Sequence, residues 1–391
     1  MSGHLMNTYK RLPVAFVRGE GAWLWDASGR RYLDALAGIA VNGLGHAHPR
    51  LVAAIADQAS KVVHVSNLYE VPEQERLGAR LAQLSGMDNA FFNCSGAEAN
   101  ESAIKLARLY GHQRGVEVPT IVVMDRSWHG RTIATLSATG NRKAQAGFEP
   151  LLGGFARVPF DDFDAVQRVA ENNASVVAVL VEPVQGEGGI QIPERRYLRQ
   201  LRDLCDQRQW LLMLDEVQSG MGRTGTWFAF QHTDVMPDVL TLAKGLANGL
   251  PIGACLARGT AASVFGPGHH GTTFGGGPLV CRAALETLAI IEEEGLRERA
   301  RAMGERIVAG FRQTLSGVPG VVEVRGSGLM LGIELDRPCN ELVREALEAG
   351  LLINVTYDTI IRMLPPLVID EAQADQIVAL LSPLVRGFLS R

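Results

Sequence analysis

The sequence lacks the features that mark secreted, membrane-spanning or nucleic-acid-binding proteins. Its five cysteines are an odd number without C-x-x-C spacing, which argues against a disulfide framework and a zinc knuckle. No apolar run approaches the roughly 20 residues that a membrane span needs, and the opening MSGHLMNTYKRLP has no apolar signal core. The formal charge of −4 comes without a lysine or arginine block, so no attraction to nucleic acid or membranes is expected. These absences predict a cytoplasmic protein with reduced thiols.

What is present is the composition of a globular protein. The chain is 47% hydrophobic and 20% charged, and its 391 residues exceed one simple core, which predicts one large domain and a smaller one. The segment GEGAWLWDASGRRYLDALAG, with a turn from Asp26 to Gly29, predicts a β-hairpin in an N-terminal arm. The spacing of LVAAIADQASKVV and PEQERLGARLAQL predicts two helices, the second beginning at Pro72.

Short apolar runs then end repeatedly in polar or glycine-rich turns, and helical stretches such as ESAIKLARLYGHQRG and RYLRQLRDLCDQRQ separate several of them. The runs are NAFFNC, TIVVMD, VVAVLVEP, WLLMLDEV, DVLTLAK and GACLAR. Strands that alternate with helices form a mostly parallel sheet covered on both faces, so the predicted fold class is α/β. Ligands bind such sheets beyond the carboxyl ends of the strands. From about residue 280, a long helical stretch, the strands VVEVRG and LMLGIEL, and a final helix from Glu371 predict the second domain.

A single lysine, Lys244, follows the apolar run DVLTLA and has small and apolar neighbours. Removing its ammonium group from water is costly and lowers its pKa, which suits a lysine that attacks a carbonyl as a neutral amine. A lysine at a strand end can also extend its ammonium group to solvent. This segment by itself leaves both interpretations open.

Asp215 ends another apolar run, LLMLD, and Glu216, Val217 and Gln218 follow it. By itself, such a carboxylate is more often a helix cap, a metal ligand or a salt-bridge partner. Beside a lysine that forms a Schiff base it has a specific use. A pyridoxal ring accepts electrons only while its pyridine nitrogen stays protonated, and an aspartate raises the pKa of that nitrogen.

The segment FFNCSGAEANESAIKLA indicates a strand that runs into a helix. Ser95 and Glu98 have capping-box spacing, and Gly96 permits close approach to the backbone. The free amides of a first helical turn can bind a phosphate, although a well-capped helix without a ligand is more common. Its place at the same predicted sheet edge as Asp215 and Lys244 favours the phosphate.

Other polar and aromatic residues follow the predicted strands. Trp128, in MDRSWHGRT, can stack on a planar cofactor, or it can be a core tryptophan. Arg131 and Arg362 can each bind a substrate carboxylate through two hydrogen bonds, or form a structural ion pair. Thr272 and Thr273, in HHGTTFGGGP, can contact a phosphate or a substrate, or lie in a flexible surface loop.

Three other functions are compatible with parts of the sequence. GMGRTG matches the dinucleotide fingerprint of nicotinamide-dependent dehydrogenases, but DEVQS separates it from its strand and no helix start follows. A non-catalytic binding protein would not need a desolvated lysine and aspartate. A metal hydrolase would find only two ligands in each of two loop-like segments, His46 with His48 and His269 with His270. No metal is therefore expected.

Together, the motifs resemble those of the class-III, fold-type-I aminotransferases over nearly the whole chain. The matching segments, in the order that the family shows, are HPRLVAAIADQASKVVHVSNLY, SGAEANESAIK, WHGRTIATLSATG, EPVQGEGGI, DEVQSGMGRTG, PDVLTLAKGLANGLPIGA, GTTFGGGPLVCRAA and RGSGLMLGIEL. The resemblance implies a large, mostly parallel seven-stranded sheet domain and a smaller α+β domain built from both chain ends. The implied boundaries are 1–60 for the N-terminal arm and part of the small domain, 61–279 for the large cofactor-binding domain, and 280–391 for the C-terminal small domain.

The resemblance also implies the cofactor pyridoxal 5′-phosphate and the residues that hold it. Lys244 would carry the cofactor as a Schiff base and then move a proton between substrate and cofactor. Asp215 would pair with the pyridine nitrogen, Gln218 would contact the ring hydroxyl, and Trp128 would stack on the ring. The other implied cofactor-binding residues are Ser95, Gly96, Ala97, Glu216, Val217 and Thr273.

Within the family, the sequence most resembles members that act on N2-acetyl-L-ornithine and 2-oxoglutarate in arginine biosynthesis, although members that use succinylornithine or ornithine share every residue named. Arg131 would bind the α-carboxylate of acetylornithine, and Arg362 that of glutamate. Glu187 would cover Arg362 while the ornithine-type substrate is bound. Thr272 would contact the substrate and Thr273 would reach the phosphate in the other subunit, so the resemblance implies a homodimer with shared active sites.

Two positions depart from the family pattern. Trp128 stands where phenylalanine or tyrosine is more common, and an indole ring preserves the stacking. Cys94 stands where the family often has asparagine, which affects a local hydrogen bond and not the reaction.

Overall fold

The computed structural model describes residues 4–391, which alternate between strands and helices. The strands are β1 Phe16–Glu20, β2 Trp23–Asp26, β3 Arg31–Asp34, β4 Asn89–Asn93, β5 Thr120–Met124, β6 Phe155–Val158, β7 Val176–Val181, β8 Leu211–Asp215, β9 Val239–Leu242, β10 Gly253–Ala257, β11 Val321–Ser327, β12 Met330–Leu335, β13 Leu351–Leu352, β14 Asn354–Thr356 and β15 Ile360–Met363. The helices are α1 Ala37–Ala40, α2 Pro49–Ala59, α3 Pro72–Ser85, α4 Gly96–Gln113, α5 Ile133–Ala138, α6 Arg142–Gln145, α7 Phe163–Asn172, α8 Tyr197–Arg208, α9 Pro278–Glu293, α10 Leu296–Thr314, α11 Leu342–Glu348 and α12 Glu371–Leu389. Short 3₁₀ turns occupy Ala229–His232, Lys244–Ala247 and Gly259–Ser263.

Seven of the described strands form the central sheet, in the order β4-β10-β9-β8-β7-β5-β6. All run parallel except β10, which is antiparallel to both of its neighbours. The strands β5, β7, β8, β9 and β10 are buried along their whole length, because apolar clusters cover both faces of the sheet. The predicted α/β class with a mostly parallel sheet is confirmed.

The six strands predicted from apolar runs are all present, and β2 and β3 form the predicted hairpin. Strand β6 was not predicted, because only Val158 of its four residues is fully buried and Arg157 interrupts the apolar run. The helix predicted to begin at Pro72 is α3. The helix predicted over LVAAIADQASKVV is shorter than expected, since α2 ends at Ala59 and the segment 61–63 is exposed.

Residues from both ends of the chain form the smaller sheets. Strand β13 pairs with β3 beside β2 and β1, and a second antiparallel sheet has the order β11-β12-β15-β14. The predicted strands VVEVRG and LMLGIEL are β11 and β12, and α12 begins at Glu371 as predicted. The long helical stretch after residue 280 consists of two helices, α9 and α10, which are separated at Gly295. Among the helices of residues 4–391, none is long and apolar enough to cross a membrane.

Candidate active site

The polar residues that follow the central strands meet in a cavity at one edge of the sheet. Asp215 ends β8, Glu182 follows β7, Lys244 and Ser95 lie two residues beyond β9 and β4, and Trp128 lies in the segment after β5. All five line a cavity of about 470 Å³, a size that suits a small-molecule ligand. The carboxyl ends of the parallel strands therefore form a shared site, as expected for such sheets.

Lys244 lies at the start of a 3₁₀ turn with a left-handed backbone (φ 43°). This conformation is strained for a residue with a side chain, and such strain is concentrated at functional sites. Burial and, secondarily, the positive charge of Arg362 lower the pKa of Lys244 to about 8, while the nearby carboxylates of Asp215, Glu182 and Glu187 oppose this shift. About half of the Lys244 side chains are therefore neutral amines near pH 8, and the neutral amine is the form that attacks a carbonyl.

Asp215 is held by three hydrogen-bond donors. Its Oδ2 accepts hydrogen bonds from Asn100 Nδ2 at 2.7 Å and His129 Nδ1 at 2.8 Å, and its Oδ1 accepts one from Val217 N at 3.0 Å. Asn100 is itself fixed, because its Oδ1 accepts the hydroxyl of Thr241 at 2.7 Å. The orientation of the Asp215 carboxylate is thus set before any ligand binds.

Glu182 and Asn100 are two cavity residues that the sequence analysis did not identify. The Glu182 carboxyl accepts hydrogen bonds from Trp128 N at 3.0 Å and Gly186 N at 3.3 Å. Burial, followed by the charge of Asp215, raises the pKa of Glu182, while the nearby Lys244 opposes this rise. Its place directly after β7 was a usable signal, since polar residues at the carboxyl ends of strands are where ligands bind. Asn100 carried no local signal, because its partners lie on other elements.

The first turn of α4 offers unpaired backbone amides to the cavity. Ser95 caps the helix by accepting a hydrogen bond from Glu98 N at 3.2 Å, while the Glu98 carboxylate accepts one from Cys94 N at 2.6 Å. Within residues 4–391, the amides of Gly96 and Ala97 have no acceptor, as expected of the first helical positions. A side chain at Gly96 would overlap Val217, with its Cβ only 2.7 Å from Val217 Cγ1. The free amides of this turn can therefore bind an anion that approaches the backbone closely.

Aromatic and amide side chains complete the cavity. The guanidinium of Arg131 lies 4.6 Å from the centre of the Trp128 ring, and both residues line the cavity. Gln218 Oε1 and His129 Nε2 are buried atoms that have no hydrogen-bond partner in the described part of the chain. Buried polar atoms normally have partners, and these two atoms are available to a polar ligand in the cavity.

Arg362 and Glu187 form an ion pair beside the cavity. Arg362, on β15, is fully buried, and its Nη1 lies 2.9 Å from Glu187 Oε2. The guanidinium Nε donates to Asn354 Oδ1 at 3.1 Å, but neither Nη atom has a well-directed acceptor within residues 4–391. The two side chains therefore attract each other through their charges, while the N–H groups of the Arg362 Nη atoms remain available for hydrogen bonds to another carboxylate.

Besides Arg362 and Glu187, which lie beside the cavity, three predicted site residues do not line it. Glu216 is buried elsewhere, where its carboxylate accepts hydrogen bonds from Ala229 N at 2.6 Å and Phe230 N at 2.8 Å. Thr272 lies in a neighbouring pocket, beside Cys94, and partly offsets the rise that burial causes in the pKa of that thiol. Thr273 is exposed. A single chain thus brings together Lys244, Asp215 and the α4 amides, but not the two threonines.

The geometry does not support the dehydrogenase or the metal hydrolase. GMGRTG lies in consecutive turns and leads into the 3₁₀ turn Ala229–His232, so no α-helix presents its N-terminus to a dinucleotide. His46 and His48 contact the carboxylates of Asp34 and Glu294 at 2.8 and 3.3 Å. In the part of the chain that the structure describes, no three histidine, cysteine, aspartate or glutamate side chains are placed to hold a metal ion.

Known proteins resemble this chain over its full length. The profile of the family "Aminotransferase class-III" matches residues 5–385. The chain is 60% identical over 386 residues to an acetylornithine aminotransferase of Nitrosomonas europaea, covering 99% of this chain and 98% of that protein. An acetylornithine aminotransferase from Elizabethkingia anophelis has a similar structure, with a TM-score of 0.87, 34% identity, and coverage of 97% and 95% of the two chains. The ornithine aminotransferase of Toxoplasma gondii, whose structure revealed partial occupancy of PLP at the active site, superposes with a TM-score of 0.95 at 33% identity, covering 99% and 94%.

Proposed function

The chain belongs to the class-III aminotransferases, and we propose that it transfers the terminal amino group of N2-acetyl-L-ornithine to 2-oxoglutarate. The products are N-acetyl-L-glutamate 5-semialdehyde and L-glutamate, as in arginine biosynthesis. Lys244, Asp215 and the free amides of Gly96 and Ala97 share one cavity, which is the observation that carries the aminotransferase chemistry. The acetylornithine relatives support the substrate. All five cysteines are free, which agrees with a reducing, cytoplasmic location.

Pyridoxal 5′-phosphate is the cofactor of this family, and the cavity fits it. The amides of Gly96 and Ala97 would hold its phosphate, Trp128 would cover a face of its ring, and the unpartnered Gln218 Oε1 would accept its ring hydroxyl. Asp215 would hold a proton at its ring nitrogen. Bound in this way, the cofactor supplies an electron sink that stabilises negative charge on the substrate carbon.

Lys244 would serve twice. As a neutral amine, its Nζ would hold the cofactor at its aldehyde carbon. When it is not holding the cofactor, the same Nζ would accept the proton that the substrate carbon loses and donate it again. Its pKa of about 8 suits both tasks, because a proton carrier works best when its pKa is near the operating pH.

Each of the two arginines would bind the carboxylate of a different substrate. Arg131, exposed at the cavity mouth, would bind the α-carboxylate of N-acetylornithine. Arg362 would bind the α-carboxylate of glutamate or 2-oxoglutarate through the Nη donors that Glu187 does not fill. Glu187 would neutralise Arg362 during the acetylornithine half-reaction and move aside when the dicarboxylate enters. One cavity could then accept both substrates.

The absorption spectrum of the purified enzyme tests this function through its two half-reactions. N-acetylornithine, added without an acceptor, is expected to bleach the visible band of the lysine-bound cofactor, and 2-oxoglutarate is expected to restore it. Ornithine and succinylornithine, added in parallel, rank the possible donors. A colourless protein that pyridoxal phosphate cannot reconstitute would overturn the function. A band that only another amine bleaches would retain the mechanism and reject the substrate.

A homodimer with shared active sites is part of the proposal. Thr273 is exposed and would reach the phosphate site of the other subunit, while Thr272 would contact its substrate. Large apolar side chains near these threonines support a covered surface: Leu68 is 86% exposed, Tyr69 70% and Phe274 67% in the single chain. Monomers rarely leave such a patch exposed.

Leu68→Asp is expected to dissociate the dimer, and activity is expected to be lost in parallel with the dimer. A buried, unpaired carboxylate costs several kcal/mol, so the dimer dissociation constant should rise on the order of 100-fold. Val118→Asp is the matched control. Val118 is another highly exposed apolar residue, and it precedes the amino end of β5, at the opposite end of that strand from the cavity. Sedimentation velocity and activity, measured at equal concentrations, follow both variants. A fully active Leu68→Asp monomer would contradict shared active sites.

A further inference from the structure

Glu187 lies at the tip of a short, closed loop between β7 and α8. Gln185 and Gln191 exchange two backbone hydrogen bonds, of 3.0 and 3.1 Å, which close the loop 186–190. Gly189 and Ile190 both have positive φ, of 99° and 55°. For Ile190 this conformation is strained, so contacts from outside the loop must stabilise it.

Arg325, on β11 of the smaller antiparallel sheet, supplies such contacts. Its Nε donates to Ile190 O at 2.9 Å, and its Nη2 donates to Gly189 O at 2.7 Å. The guanidinium is buried, with 6% of the residue exposed, and its Nη1 donates to Glu323 and Glu334 at 2.6 Å each. Two carboxylates thus balance its charge, while its other donors hold the loop backbone.

The register of the sheet places Arg325 in line with Arg362. Arg325 pairs with Gly332 across β11 and β12, and Gly332 pairs with Arg362 across β12 and β15. Directly opposed residues share a face of the sheet, so both guanidinium groups project from the same face on either side of Gly332. A Cβ at Gly332 would lie 3.3 Å from Ile190 Cβ. Arg325, Gly332 and Arg362 thus form a row across the sheet, and the loop 186–190 packs on this row. The loop backbone contacts Arg325, Ile190 lies over Gly332, and Glu187 pairs with Arg362.

We propose that Arg325 is a positioning residue that fixes the backbone of the loop 186–190 over Arg362, so that Glu187 leaves and returns by rotation of its side chain. The inference rests on the proposed exchange of Glu187 for a substrate carboxylate. A carboxylate tethered to a fixed backbone has a high effective concentration at Arg362. A loosened loop lowers that concentration, and Glu187 then competes less well with 2-oxoglutarate.

Arg325→Lys keeps a positive charge beside Glu323 and Glu334 but cannot reproduce the bonds to both loop carbonyls. In the holoenzyme, this variant is expected to speed hydrogen exchange in the peptide that contains residues 185–191. We also expect the ratio of kcat/KM for the 2-oxoglutarate half-reaction to that for the N-acetylornithine half-reaction to rise roughly 2- to 10-fold, the factor that one hydrogen bond contributes. Arg312→Gln is the matched control. Arg312 is an exposed arginine of α10 that donates to the carbonyl of Val324, the residue before Arg325 on β11, so its loss should change neither readout.

Glu187→Gln separates this inference from the function on which it rests. If Glu187→Gln leaves the ratio unchanged, the exchange at Arg362 is wrong. If Glu187→Gln raises the ratio while Arg325→Lys changes neither the ratio nor the hydrogen exchange, Arg325 does not position the loop. If Arg325→Lys fails to fold, Gly332→Ala is the second variant, because its added methyl group would press on Ile190 and displace the loop. If Gly332→Ala changes neither the hydrogen exchange of residues 185–191 nor the ratio of the two half-reactions, the proposal is overturned.

Discussion

Replacement of Lys244 by alanine is expected to remove the visible band of the lysine-bound cofactor and to lower turnover by at least roughly 10⁴-fold, because one side chain serves as both nucleophile and proton carrier. The mutation removes the amine without disturbing the held carboxylate of Asp215, whose three donors come from other residues. The spectrum and both half-reactions, measured in single turnovers, give the readout.

The matched control is Lys143→Ala. The side chain of Lys143 is 80% exposed and pairs with Asp358, so its loss should leave the spectrum and turnover close to those of the parent. Circular dichroism checks that both variants fold. A Lys244→Ala enzyme that keeps the visible band, or that works within tenfold of the parent, would show that another residue carries the chemistry.

Arg362→Leu is expected to reduce kcat/KM for the 2-oxoglutarate half-reaction by on the order of 10²- to 10³-fold, since removing one partner of a buried, hydrogen-bonded charge pair costs 2–5 kcal/mol. The N-acetylornithine half-reaction should change only a few-fold, because Arg131 would hold that carboxylate. Glu187 is about one-third exposed, so it can turn to solvent when Arg362 is absent.

Glu187→Gln should act in the opposite direction in the same assay. It removes the competing charge but keeps the size of the side chain, so 2-oxoglutarate should bind more tightly to the freed Arg362. Arg362→Lys, which keeps the charge without the forked geometry, should fall between the parent and Arg362→Leu. Equal losses in both half-reactions for Arg362→Leu would mean that Arg362 supports the fold rather than selecting the substrate.

Local sequence patterns were sufficient for most of the secondary structure. Apolar runs with polar ends predicted β4, β5, β7, β8, β9 and β10 because burial on both faces demands uninterrupted apolar residues. Strand β6 has no such run, since it is short and only partly buried. The end of α2 was also misplaced, because helix ends depend on local contacts that periodicity does not report.

The same reasoning reached part of the candidate site. Lys244 and Asp215 each follow a buried strand, and the carboxyl ends of parallel strands meet at one edge of a sheet. That rule required no knowledge of which strands are neighbours. Ser95 was similarly recognisable from its spacing to Glu98, although the Glu98 carboxylate bonds Cys94 N and not the amide of Ser95.

The sequence by itself determined the α/β class, the strand ends that carry chemistry, and the lysine and aspartate at those ends, because these features depend on residues adjacent in the chain. Only the tertiary structure decided which side chains complete them. Asn100 and His129 reach Asp215 from residues 115 and 86 positions away, and Arg325 meets the loop that carries Glu187 across 136 positions. Such contacts follow from strand order and register, which are set by packing between distant segments and leave no periodic pattern in the chain.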